Sequence, residues 1–344
     1  MRLALPLIIL VSLPLHADGL QWRGVWEWSL PKKTEADLVC IADSAQALGF
    51  NALMMYPPPA LIGFMRDQCH QRGIKLYYST VFSYSKPEWA QVILPEEKER
   101  AAQALPEDYM YGGRPVQRGE VFTSRLPCYN RPEAREYFRQ MVSKFAQLPV
   151  DGLAFDAAGF QNYRRCYCPV CQAQVAAYLR AYPGTTDRYA GDVVAERTLV
   201  SFINDMAAVA RRTNPQLDLT IHIYPWFSPH PYYGHETDID VVGQTVSWFF
   251  RPHWSLERVQ SLTEQLVNDQ HRCYRDHCAA PFIGFDARQQ RNYRSSRRIH
   301  QELQIIKQSG AQALHVAELG YLLHKPLIAQ AVAEELGGSY RANR

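Results

Sequence analysis

The chain has 344 residues, 47% of them hydrophobic and 21% charged, with a formal net charge of +3. This is the composition of an ordinary globular protein with ample material for a core, and the charge is too small to argue for a nucleic-acid or membrane partner. No Walker-type loop, dinucleotide fingerprint or His-Glu-x-x-His motif occurs, so the usual marks of nucleotide and zinc-protease chemistry are missing.

The chain begins with what reads as an export signal. Arg2 precedes the apolar run Leu3–Leu15, and His16-Ala17 before Asp18 offers a cleavage point. The run is shorter than the roughly 20 apolar residues a membrane helix needs. Residues 1–17 are therefore expected to be removed and residues 18–344 to form the mature protein, periplasmic or secreted, without stable membrane insertion. Its eight cysteines would then work where disulfides persist.

Strand-like and helix-like segments then alternate eight times. The predicted strands are Arg23–Trp28, Asn51–Tyr56, Lys75–Phe82, Val150–Asp156, Asp218–Tyr224, Asp240–Trp248, Phe282–Asp286 and Ala313–Glu318, mostly short apolar runs of the kind covered on both faces in parallel sheets. Predicted helices include Glu35–Leu48, with Thr34 as N-cap and Gly49 at its end, then Ala60–Arg72, Pro132–Gln147, Cys168–Ala181, Glu196–Thr213, Leu256–Asp269, Ser296–Ser309 and Pro326–Leu336. Eight such units without a glycine-rich phosphate turn after the first strand predict a single-domain (β/α)8 TIM barrel. The longest irregular stretch, Ser83–Pro127, carries Tyr109, Tyr111, Arg114 and Arg118, side chains suited to a polar ligand.

In such barrels chemistry gathers at the C-terminal ends of the strands. Those ends present Glu27 and Trp28, Tyr56, Asp156, then His222, Tyr224 and Trp226, then Gln244 and Trp248, then Asp286 with Arg288, and finally Glu318. Acids among Trp and Tyr suit a sugar: aromatic faces stack on pyranose C–H surfaces, and two carboxyl groups flank the scissile bond. Asp156 and Asp286 are the expected catalytic pair, with Glu318 and Glu27 in reserve. Trp28, Tyr56, Tyr224, Trp226 and Trp248 are expected to line subsites, with His222 and Arg288 orienting polar groups. Asp238 and Asp240 precede the apolar part of their strand and belong to the opposite, structural face. A basic run, Arg288, Arg291, Arg294, Arg297 and Arg298, reads first as a solvated helix face; because it starts on the active face, its forks also suit an anionic sugar such as a uronate.

Cys128, together with Cys166, Cys168 and Cys171 in a Cys-x-Cys-x-x-Cys run, forms a set suited to tetrahedral zinc; the alternative is disulfide bonding. Cys40 could bridge Cys69, and Cys273 could bridge Cys278. Over about Cys128–Tyr178 the sequence resembles glycoside hydrolase family 42, bacterial β-galactosidases on a (β/α)8 barrel. That family places one cysteine ahead of a helix and Cys-x-Cys-x-x-Cys after strand 4, together holding zinc. The resemblance implies an acid/base at Asp156, a nucleophile at Asp286 and a structural rather than catalytic zinc, with no organic cofactor. The family's Asn-Glu pair is Phe155-Asp156 here, and both acids are one methylene shorter, which leaves the sugar open. Two other classes of function share these features: a non-catalytic carbohydrate-binding barrel, and a metal-dependent hydrolase using His222, Asp286 and Glu318.

Overall fold

In the computed structural model, which describes residues 19–28, 33–83, 86–97, 99, 110–111, 114–115, 126–160, 164–223, 234–247, 254–270, 278–284 and 294–342, the eight apolar runs pair as parallel strands. These are β1 (Trp22–Glu27), β2 (Ala52–Met55), β3 (Lys75–Val81), β4 (Gly152–Ala158), β5 (Asp218–Ile223), β6 (Val241–Ser247), β7 (Cys278–Gly284) and β8 (Ala313–Ala317). They close in the order β1-β8-β7-β6-β5-β4-β3-β2, the (β/α)8 TIM barrel read from the sequence. Register across the seam pairs Trp26 with Ala317 on one side of β1 and Val25 with Leu53 on the other. The helices are α1 (Glu35–Ala47), α2 (Ile62–His70), α3 (Pro132–Phe145), α4 (Pro169–Ala181), α5 (Asp187–Thr213), α6 (Leu256–Gln270), α7 (Ser296–Gln308), α8 (Leu319–Leu323) and α9 (Pro326–Leu336). None that is described is long and apolar enough to cross a membrane.

Alternation along the strands sorts the core into two parts. Val25, Leu53, Leu76, Leu153, Phe155, Ile221, Val242 and Val316 face the helices. Trp26, Met54, Tyr77, Ala154, Phe282 and Ala317 fill the barrel interior above a lower layer of Val241, Ala280 and Ala313. One polar chain crosses this interior. Trp26 Nε1 donates to His315 Nδ1 at 3.1 Å, and Thr220 Oγ1 lies 3.0 Å from His315 Nε2 while donating to the Val241 carbonyl at 2.8 Å. An indole N–H can only donate, so Nδ1 accepts and Nε2 carries the proton. Burial, with His222 nearby, pushes the His315 pKa well below the usual histidine value, which fits a neutral ring wedged in this chain.

Local chemistry explains most boundaries. Thr34 and Asp37 exchange backbone and side-chain bonds in a capping box that starts α1, and Gly49 takes φ +90° just past its end. Two boundaries differ from the prediction. β7 starts at Cys278 rather than Phe282, because Ala279, Ala280 and Pro281 read as a break although small residues are what the narrow lower interior accepts. α5 starts at Asp187 rather than Glu196. Gly191 lies within the added turns, where a Cβ would meet the Arg165 side chain packed across the helix. Asp238 and Asp240 lie at the N-terminal end of β6, both paired with Arg211, so they are structural as expected.

The basic run divides. Glu302, fully buried, accepts from Arg294 Nη1 at 2.9 Å, Arg298 Nε at 2.7 Å and Ser247 Oγ at 2.9 Å. Arg294 also donates to the Gly284 carbonyl. These two arginines thus tie together the C-terminal ends of β6 and β7, one residue before Trp248 and two before Asp286. Arg294→Lys keeps the charge but loses the fork, and should lower unfolding free energy by about 1.5–3 kcal/mol, the worth of a hydrogen bond to a charged group. Urea denaturation of the two proteins checks this.

Cys40 is exposed, Cys69 is buried, and both are free thiols rather than a bridge. Burial, reinforced by Asp151, pushes the Cys69 thiol up to about 12. Iodoacetamide on the native protein should therefore modify Cys40 and spare Cys69; a bridge would spare both.

Candidate active site

β4 carries Asp156 to the mouth. Leu153 and Phe155 point out to the helices and Ala154 points in, so Asp156 also points in, at the C-terminal end of the strand and only 6% exposed. Asp156 Oδ1 lies 3.2 Å from His222 Nδ1, and Thr245 Oγ1 lies 3.0 Å from His222 Nε2. The imidazole lies flat on the Phe282 ring, centroids 3.8 Å apart and planes 8° from parallel. Four adjacent strands, β4 to β7, thus fix one carboxyl group. His222 has no exposed surface. Expected to orient polar groups of a ligand, it lies beneath the acid and meets Asp156 directly.

The other described acids sit across the mouth. Glu318 follows β8, and Glu27 ends β1. With Val25 facing outward and Trp26 inward, Glu27 turns out of the barrel interior, where the buried Lys33 Nζ binds its Oε1 at 3.2 Å. A Cβ built on Gly320 would lie 3.7 Å from Glu27 Oε2 and 3.8 Å from Glu318 Oε1, so both carboxylates converge on that glycine. Glu27 is thus part of a buried ion pair beside Glu318. Lys33 escaped notice because a lysine two residues before a helix reads as solvated surface.

Trp28 stands above Trp26 and Phe282, with centroids 6.1 and 6.3 Å away. Tyr56, 46% exposed, leans on Tyr78 at 4.7 Å. Gln244 does not belong here: Val242 and Val246 on the same strand face the helices, Thr245 faces His222, and Gln244 falls on the helix side. Asp286, Arg288, Tyr224, Trp226 and Trp248 lie outside the described residues, as do Arg291, Cys273, Tyr109, Arg118 and residues 1–17. Thr245 and Phe282 were missed; counting alternation back from a correctly placed β6 and β7 finds both.

Next to this mouth, the Sγ atoms of Cys128, Cys166, Cys168 and Cys171 are all buried and lie within 4.8 Å of one another. Metal–thiolate bonds of about 2.3 Å in a tetrahedron put sulfurs roughly 3.8 Å apart, so the set fits one metal ion with no open position. Cys128 is 3.5 Å from both Cys168 and Cys171. Hydrogen bonds from Cys128 and Cys171 hold the Cys166 thiol well below its usual value, with the Val92 and Cys168 amides adding; the shared proton pushes Cys128 up. These bonds favour the thiolate form at Cys166, the form that metal binding requires.

The cluster is laced to the mouth. The Val92 amide donates to Cys166 Sγ at 3.3 Å and Cys128 N–H to the Trp89 carbonyl at 2.7 Å. Gln91 Nε2 donates to the Gly159 carbonyl at 3.3 Å, and the Tyr129 hydroxyl accepts from the Gly159 amide at 3.0 Å. Gly159 is three residues past Asp156.

No protein-family model matches the chain, and no curated protein sequence matches it. Solved structures do. The glycoside hydrolase domain of PgaB (BpsB) from Bordetella bronchiseptica superposes with TM-score 0.60 at 13% identity, covering 95% of this chain and 100% of that one. The β-galactosidase from Bacillus circulans sp. alkalophilus gives 0.59 at 13%, over 93% of this chain but 56% of that one, so the chain spans little more than half of that enzyme. The catalytic domain of β-amylase from Paenibacillus polymyxa gives 0.56 at 9%, over 94% and 99%. At such identities the likeness is one of fold: the chain shares the (β/α)8 barrel of glycoside hydrolases that act on quite different sugars.

Proposed function

We propose that the protein is a secreted or periplasmic glycoside hydrolase, residues 1–17 being its signal and residues 18–344 its catalytic barrel. It cleaves a glycosidic bond of an oligo- or polysaccharide, an anionic one included. The observation that carries this reading is Asp156, an enclosed acid at the end of β4 held by a buried histidine that also meets Thr245 and the Phe282 ring face. In the reaction Asp156 acts as general acid/base on the glycosidic oxygen, and Asp286, just past β7, acts as nucleophile or activates water. His222 fixes the plane of the Asp156 carboxyl by holding Oδ1. Trp28 and Tyr56, with Tyr224, Trp226 and Trp248, stack on sugar faces; Arg288 and Glu318 take polar groups, and Glu27 holds Glu318's surroundings through Lys33. A zinc ion on Cys128, Cys166, Cys168 and Cys171 would supply a structural crosslink and no chemistry.

Release of reducing ends from a panel of neutral and acidic polysaccharides, wild type beside Asp156→Asn, tests the proposal. Cleavage by the wild type that the variant lacks supports it, and the substrate cleaved names the sugar. Equal cleavage by both removes Asp156 from the mechanism. Binding without cleavage by either protein would make this a carbohydrate-binding barrel. The metal-dependent alternative loses ground because both His222 nitrogens are already engaged by protein groups.

A further inference from the structure

On the outer wall, beside the cysteine cluster and away from the strand ends, α4 and α5 border a groove of about 430 Å³. Ligand sites run from roughly 300 to 1,000 Å³, so the space is adequate for a small sugar segment. Its aromatic side is Tyr178 and Tyr182, one turn apart on α4, with ring centroids 4.6 Å apart and planes at 37°. Tyr182 is 51% exposed. From α5 the Arg197 guanidinium lies over the Tyr178 ring at 5.3 Å.

Among the described residues, Arg197 is the only charged one lining the groove. Nearby Arg135, Arg139, Arg164 and Arg165 each hold an aspartate, whereas Arg197 has no carboxylate partner among the described residues. The floor is amide and hydroxyl. Asn130 Nδ2 lies 3.0 Å from Gln174 Oε1, 2.9 Å from Thr198 Oγ1 and 3.4 Å from Cys171 Sγ, and its two hydrogens serve two of these acceptors at a time. The Asn130 donors are thus committed within the protein, while the Asn130 Oδ1 acceptor and the Gln174 Nε2 donor remain for a ligand.

We propose that this groove is a second carbohydrate-binding site, taking an acidic sugar unit of an oligosaccharide: ring C–H face on the exposed Tyr182, which Tyr178 backs, hydroxyls on the amides, and the carboxylate on Arg197. An exposed aromatic face recognises the apolar face of a pyranose, and a hydroxyl needs a donor and an acceptor together. A guanidinium without a protein carboxylate matches a ligand carboxylate in bidentate fashion. The assignment rests on the lining alone and stands whether or not Asp156 is catalytic. Its use would be to hold a polymer chain on the enzyme while the mouth acts elsewhere along it, which raises local concentration without a new contact at the mouth.

Tetragalacturonate titrated calorimetrically into the full chain, beside a neutral tetrasaccharide, is the test. Arg197→Gln and Tyr182→Ala change exposed side chains, so both variants should fold. The wild type should bind the acidic probe and prefer it over the neutral one. Arg197→Gln should weaken that binding about tenfold or more, Tyr182→Ala should weaken it several-fold, and Asp156→Asn should leave it unchanged. No binding of the acidic probe overturns the site. Binding that both groove variants retain assigns it to the mouth and overturns the site as well. Equal affinity for the two probes, insensitive to Arg197→Gln, overturns the acidic ligand. If Asp156→Asn binds like the wild type while no polysaccharide is ever cleaved, only the catalytic proposal falls.

Discussion

Replacing Asp156 by asparagine is expected to lower turnover by about 10²–10⁴-fold, the usual worth of a positioned general acid or base. The amide fills the same space and can still meet His222 Nδ1, so thermal stability should move little while the capacity to exchange a proton is lost. His222→Gln should act through the same carboxyl. Both nitrogens of His222 are engaged and its ring is sandwiched against Phe282, so losing it frees the Asp156 carboxyl to rotate. The expected signature is a fall in kcat of about tenfold or more with KM near the wild-type value, since a residue with no exposed surface cannot grip substrate. In an Asp156→Asn background the same change should cost little further, because two residues acting as one unit are not additive. Independent, additive losses in that double-mutant cycle would show that His222 serves the barrel core and not the acid.

The acid was legible in the sequence and its support was not, for a physical reason. An apolar run that stops on a carboxylate marks a strand end whatever the rest of the chain does, so Asp156 stands out. Which way a side chain on β5 or β6 faces depends on register, and one residue of slip sends every side chain to the other face. That is why Gln244 read as a site residue while Thr245, its inward neighbour, went unnoticed. The eight-strand plan was readable because each strand is buried on both faces and therefore continuously apolar. Small interior residues blurred it: Ala279 to Pro281 hid the start of β7. The long-range pair Trp26 with His315 carries no local sequence signal at all, and Lys33 with Glu27, six residues apart, matches no strand or helix spacing. The arginines after β7 show the converse. A cationic run pointed to ligand binding, but Arg294 and Arg298 spend their charge on buried Glu302.

The second large effect is expected from the cysteine cluster. The purified protein should carry about one zinc ion per chain. Cys128→Ser should release it, because three thiolates and a hydroxyl hold the ion far less well than four thiolates. Structural zinc contributes about 10–16 kcal/mol of apparent binding free energy in small peptides. A barrel with its own large core should survive the loss, so the expected outcome is a lowered unfolding temperature rather than an unfolded chain. The loss should be felt at the mouth before it is felt in the core. Cys128, Trp89, Val92 and Cys166 are sewn together, and Gln91 and Tyr129 carry the seam to Gly159, just past Asp156. Loosening that seam should increase hydrogen exchange in residues 86–97 and 156–160, leave β1 and β8 protected, and reduce any turnover along with it. Metal analysis and thiol titration in denaturant without reductant decide the ligand chemistry. One zinc and four titratable thiols, appearing on addition of a chelator, are expected from the cluster. Two disulfides and no metal would mean that an oxidising compartment had closed the same clamp covalently, and Cys128→Ser would then leave a free partner thiol instead of a released ion.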